Sequence, residues 1–225
     1  MCLASPSVEA QAPSSSDFIP VTDVMLQAPA PADWLMWRRT LDSWGFSPLA
    51  QIDRRNVSKL QLVWSRALTA GSQQGTPLVY DGVMYMPNPN DIIQAINAAT
   101  GDLRWEYRRP IPDDVGDYLG GLVSVNRNIA IYGHFIIDTS NDDYIFALNA
   151  TTGQLAWETQ ILDYTQNPAR HSSGPIVANG KVISGRSCRP LRGPDACIIA
   201  AHDATTGEEL WRRRLIPAPG EPGND

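Results

Sequence analysis

Cys188 and Cys197 stand nine residues apart in "CRPLRGPDAC". That spacing either closes a loop by a disulfide in an oxidising compartment or seats two unrelated small core residues. The chain has a third cysteine, Cys2, and three histidines, His134, His171 and His202. No CxxC pair and no CxxCH run occurs, so neither a zinc knuckle nor a c-type haem attachment belongs to this stretch. Two short basic runs, Arg108–Arg109 and Arg212–Arg213–Arg214, each follow a Trp and read as solvated strand ends. With a net charge of −6, the chain lacks the clustered Lys and Arg on which general nucleic-acid binding depends. His134 falls in a hairpin turn and His202 on a strand position, where structural roles are expected.

The elements that carry these residues follow from a repeat. "AINAATGDLRW" (95–105), "ALNATTGQLAW" (147–157) and "AHDATTGEELW" (201–211) end in Trp105, Trp157 and Trp211, each four residues after a Gly. Ahead of each lie two apolar runs joined by a tight turn, "YDGV", "YGHF" and "ANGK", with the Gly-containing pairs that hairpins require. Apolar residues in "IIQAINAATGDLRWEY" alternate with a period near two rather than 3.6, which predicts strand, turn, strand. Each unit is thus expected to be four antiparallel strands in about fifty residues, a propeller blade. The chain reads as all-β, a partial β-propeller of about three blades. In this reading the Trp lies flat against the neighbouring blade and does no chemistry.

A fourth, incomplete unit, "NVSKLQLVWSRAL", ends in Trp64 and reads as an outer strand without its own hairpin. Ahead of it, a short helix is expected from Ala32 to about Leu41. Residues 1–30 lack periodicity and read as a disordered or extended lead-in to a propeller segment spanning 31–225. Three blades and a fraction do not close a ring of four to eight. The chain is therefore expected to be the N-terminal part of a longer protein, inactive alone. At 225 residues and 43% hydrophobic it can bury a sizeable core, and no run approaches the ~20 apolar residues of a membrane span. "MCLASPSVEAQAPSSS" contains no signal-peptide apolar segment, so it is either a tail or follows a start further upstream.

The repeat A-x-(D/N)-A-x-T-G-x-x-x-W resembles that of quinoprotein dehydrogenases. So do "DWLMWRRTLDSWGFSPLAQIDRRNVSKLQLVW", "GTPLVYDGVMYM", "VNRNIAIYG" and "IPAPGEPGND", from Asp33 to the last residue. The resemblance implies an eight-bladed ring holding pyrroloquinoline quinone and calcium on its axis and oxidising alcohols in the bacterial periplasm. An electron acceptor such as cytochrome c or a quinone would complete the cycle. It places Arg127 of "VNRN" where the family's Arg donates to the reactive quinone carbonyls, a task suited to a fixed guanidinium. It places Gln74 of "QQGTP" at a position where many members carry a cofactor-bonding Glu. Ser172 of "HSSGP" falls at a Thr/Ser that contacts a cofactor carboxylate, with His171 beside it. Ser187 of "GRSCR" lies on the third hairpin near the axis. No catalytic residue is assigned, because the general-base Asp and the remaining calcium ligands belong to later blades.

The pattern departs from the family in three places. Gly121–Leu122 stand where some members have adjacent bonded cysteines. "SCRPLRG" lacks the Glu that some members give to calcium, so no metal ligand is assigned, and Asn128 replaces a usual Gly. The rival reading is a non-catalytic scaffold propeller with the same Trp repeats, such as an outer-membrane assembly lipoprotein. Segments 33–60 and 214–225, together with Arg127, favour the dehydrogenase, since a scaffold has no need of them.

Overall fold

The computed structural model describes residues 18–121, 125–187, 197–217 and 220. The chain folds as three four-stranded antiparallel sheets, each paired in sequence order. The first contains β1 (Leu78–Tyr80), β2 (Val83–Asn88), β3 (Ile92–Asn97) and β4 (Leu103–Arg108). The second contains β5 (Ala130–Tyr132), β6 (Phe135–Thr139), β7 (Tyr144–Asn149) and β8 (Leu155–Gln160). The third contains β9 (Ile176–Ala178), β10 (Lys181–Gly185), β11 (Ile198–Asp203) and β12 (Glu209–Arg214). The partial propeller is what the repeat predicts.

Local chemistry explains the repeat. In the turn before each outer strand, the side chain of Asn97, Asn149 or Asp203 accepts hydrogen bonds from the two main-chain N–H groups two and three residues on, at 2.8–3.3 Å. Gly101, Gly153 and Gly207 follow at φ of +77°, +72° and +76°, a region costly for residues with a Cβ. The same glycines make room for the preceding unit's Trp. A Cβ on Gly101 would lie 2.7 Å from the Trp64 ring, and one on Gly153 would lie 2.6 Å from Trp105. Trp64 Nε1 donates to Ala98 O at 3.1 Å, and Trp105 Nε1 to Ala150 O at 2.9 Å. Trp157 takes the equivalent seat under Gly207, but its Nε1 has no hydrogen-bond partner among the described residues. Trp64 keeps its seat although its segment is not part of a strand.

The N-terminal segment departs from expectation. Ala32–Leu41 is not a helix: Trp34 pairs with Val79 on the free edge of β1, and Arg38 and Arg39 adopt φ of +59° and +74°. Edge pairing outweighs helix propensity here, because Trp34 N and O each close a main-chain bond to Val79, at 2.7 and 2.9 Å. The helix of this region lies earlier, α1 (Asp23–Gln27), within the stretch expected to be extended, with the Thr22 hydroxyl as its cap. The segment ties the three blades together at their first hairpins. Val21 pairs with Gly133, Tyr80 Oη donates to Ile19 O at 2.9 Å, and Asp23 accepts from Tyr132 Oη at 2.9 Å and Gly180 N at 3.3 Å.

Arg109 is likewise not a solvated strand end. It is 8% exposed and bonds both oxygens of Asp142 at 2.7 and 2.8 Å and Glu158 at 2.9 Å, which joins the first blade to the second. Arg108 does lie at the surface, beside Glu106. In the other run, Arg212 is half-buried, bonding Glu209 and, at 2.9 Å, Ile161 O.

Candidate functional site

Gln74, Arg127 and Ser172 occupy corresponding places, just before the first strand of successive blades. The approach to β5 is extended, and its side chains alternate. Asn126 and Asn128 point inward and are buried, and Arg127 between them is exposed. Asn126 Nδ2 donates to Asp138 Oδ2 at 2.5 Å, and Asn128 Nδ2 donates to Pro175 O at 2.9 Å. Both flanks of Arg127 are therefore anchored.

Its guanidinium spans the blades on either side. Arg127 Nε donates to Gln74 Oε1 at 3.0 Å, and Nη1 donates to Ser172 O at 3.1 Å. Nη2 makes no hydrogen bond among the described residues. Ser172 thus enters through its main-chain carbonyl. Two glycines permit the approach: a Cβ on Gly75 would lie 2.7 Å from Pro87 O, and one on Gly174 would strike the Asn128 main chain.

Ser187 is joined less directly. It follows β10 and pairs with Arg170, with Ser187 N donating to Arg170 O at 2.8 Å, two residues ahead of Ser172. His171 does not project with these residues: it is 6% exposed, and its Nε2 lies 2.6 Å from Asp143 Oδ1. His134 sits in the β5–β6 turn beside Phe18, with ring centroids 5.6 Å apart. His202 is fully buried on β11, and burial lowers its pKa, which makes it a neutral core imidazole.

A buried polar layer lies under the site, and sequence reasoning missed it. Burial pushes the Asp138 carboxyl well above the usual carboxylate range, with the nearby Asp91 charge acting in the same direction. Burial lifts Asp91 to about 6, against the opposing bonds from Asn141 N and Nδ2 at 2.8 and 2.9 Å. Asp143 accepts from His171 and from Arg186 Nη2, and the latter also donates to Asn167 O at 2.5 Å. One sequence signal was available: Asp91 and Asp143 end the corresponding turns "NPND" and "SNDD".

Cys197 is disulfide-bonded. The other cysteines, Cys2 and Cys188, lie outside the described residues, as does Leu122 of the Gly121–Leu122 pair. Among the described residues, no group of three or more His, Cys, Asp or Glu side chains is placed to hold a metal ion. No helix among them is long and apolar enough to cross a membrane.

A family model, the β-propeller domain of glucose/ethanol/alcohol dehydrogenases with the short name PQQ, matches residues 34–225. The chain belongs to this family. Among curated relatives of this dehydrogenase propeller, the dehydrogenase subunit of the quinone alcohol dehydrogenase of Gluconacetobacter polyoxogenes is 35% identical over 197 residues. That match covers 84% of this chain and 26% of the relative. Among solved structures, the quinohemoprotein alcohol dehydrogenase ADHIIG of Pseudomonas putida HK5 superimposes with a TM-score of 0.78 at 32% identity, covering 89% of this chain and 30% of that one. A europium-containing methanol dehydrogenase superimposes with a TM-score of 0.74 at 26% identity, covering 85% of this chain and 33% of that one. The chain thus spans about a quarter of the length of its curated relatives.

The donor set of Gln74, Arg127, Ser172 and Ser187 fits an acceptor-rich, anionic quinone. Gln74, Arg127 and Ser187 are exposed and Ser172 is half-buried, and none of the four is a carboxylate. With Gln74 Oε1 accepting from Arg127, the amide keeps two NH2 donors that make no hydrogen bond among the described residues.

Proposed function

We propose that this chain supplies the first blades of a quinone-dependent alcohol dehydrogenase and that the mouth formed by Gln74, Arg127, Ser172 and Ser187 is its part of the cofactor site. The observation that carries this reading is Arg127, exposed, fixed by Gln74 Oε1 and Ser172 O, and left with an Nη2 that makes no hydrogen bond among the described residues. Pyrroloquinoline quinone, when bound, supplies the two-electron oxidation of an alcohol by accepting hydride, with calcium as Lewis acid.

Each residue of the mouth has a definite task. Arg127 offers a preorganised positive charge, whose orientation cost is met before the ligand arrives. Gln74 fixes that charge and adds an amide donor, while the hydroxyls of Ser172 and Ser187 suit cofactor carboxylates. The general base and the calcium ligands come from later blades of the parent protein. In this reading the enzyme works in the periplasm and passes electrons to a cytochrome c or a quinone.

The test is titration of the full-length apoprotein with pyrroloquinoline quinone. Arg127→Ala should weaken binding about 10- to 100-fold, the range of a hydrogen bond to a charged group, and Arg127→Lys should restore part of it. Unchanged binding together with unchanged turnover would remove Arg127 from the site.

A further inference from the structure

Asp143 sits at the second blade's turn between β6 and β7, fully buried, at φ +69°. Its carboxylate meets two side chains of the third blade. His171 Nε2 lies 2.6 Å from Oδ1, and Arg186 Nη2 bonds Oδ2. A carboxylate only accepts, so His171 carries its proton on Nε2. Each partner stands one residue before a residue of the candidate mouth: His171 precedes Ser172, and Arg186 precedes Ser187. The two segments are also paired to each other through Arg170 and Ser187.

The first blade supplies an internal comparison. Asp91 occupies the corresponding turn, as its main-chain carbonyl accepts from Arg109 N where that of Asp143 accepts from Ile161 N. Asp91 also reaches the next blade, but its partner is Asn141. The side-chain contact of Asp91 itself is thus with a neutral amide, and the charged link between these two blades runs from Arg109 to Asp142 and Glu158. The second blade instead places an imidazole and a guanidinium on one buried carboxylate, on the two segments that bear Ser172 and Ser187.

We infer that Asp143 is a positioning residue for the cofactor mouth, fixing through His171 and Arg186 where the third blade presents Ser172 and Ser187 to Arg127. The inference rests on the proposed quinone site. The shortest path runs from Asp143 Oδ1 through His171 to Ser172 O, which accepts from Arg127 Nη1 at 3.1 Å. A displacement of about 1 Å at a site of this kind can cost about a hundredfold in function.

The experiment uses the full-length protein and follows pyrroloquinoline quinone affinity and thermal stability separately. Asp143→Asn keeps a residue type that tolerates positive φ but offers one acceptor oxygen where the carboxylate offers two. It should weaken quinone binding about tenfold, and the effect should largely vanish when Arg127 is already Ala. His171→Gln retains a donor near the Nε2 position and should bind nearly as the native protein does. His171→Leu fills the space without donating and should bind about tenfold more weakly. If Asp143→Asn and His171→Leu lower only the melting temperature and leave affinity at the native value, Asp143 is structural and the inference falls. The His171 pair decides the matter if Asp143→Asn does not fold. Failure of the underlying site shows differently, as native affinity in Arg127→Ala.

Discussion

Arg127 and Gln74 meet across a blade boundary, Nε to Oε1 at 3.0 Å, although 53 residues separate them in the chain. Neither residue is buried, so the contact stands at the surface rather than in the core. Its significance is directional: the amide oxygen takes one edge of the guanidinium and leaves another for a ligand.

Exchange at position 74 tests that role. Gln74→Glu retains an acceptor for Arg127, and quinone affinity of the full-length protein should change by less than about tenfold. Gln74→Leu removes the acceptor and frees Arg127, so affinity should fall further, by about the tenfold that a charged hydrogen bond is worth. Native affinity in Gln74→Leu would show that Gln74 does not hold Arg127 for the cofactor.

Gly153→Ala tests the blade lock. The new Cβ would have to adopt φ +72° and would lie 2.6 Å from the Trp105 ring. Left-handed strain and overpacking together should cost about 2–4 kcal/mol, read as a drop in the denaturation midpoint of the full-length protein. Gly82→Ala has a similar φ of +70° with open space around the Cβ, and should cost only the conformational part. Equal losses in the two variants would argue against the Trp contact as a source of stability.

Asp91 predicts a pH dependence of unusual sign. Burial holds its carboxyl at about 6 in the folded protein, whereas the unfolded chain titrates it near 3.9. Between about pH 4 and pH 6 the folded state therefore keeps a proton that the unfolded state has lost. This group's contribution falls as pH rises through that window, by up to ~1.4 kcal/mol per pH unit, and levels off above it. Asp91→Asn should remove that component from denaturation curves measured at pH 4, 5, 6 and 7. A native-like slope in the variant would show that Asp91 is not its source.

The sequence carried the blades because their grammar is local. Asn97, Gly101 and Trp105 lie within nine residues, and their turn geometry is written in their types. The N-terminal segment was not legible, because Trp34 takes its conformation from the edge of β1, which only the tertiary fold provides. Arg109, Asp143 and Arg186 were missed for a related reason. Arg109 finds Asp142 33 residues away, and Arg186 finds Asp143 43 residues away, so nothing nearby in sequence marks them as buried. Arg127 could be singled out only through the resemblance of "VNRN". An isolated exposed arginine otherwise reads as surface.

The most direct test of the central claim is a crystal structure of the full-length protein with pyrroloquinoline quinone bound. The account predicts cofactor oxygens within about 3 Å of the Arg127 guanidinium, the usual hydrogen-bond distance, with Gln74 and Ser172 alongside. A cofactor bound elsewhere, with Arg127 still bonded to Gln74 and facing solvent, would contradict it.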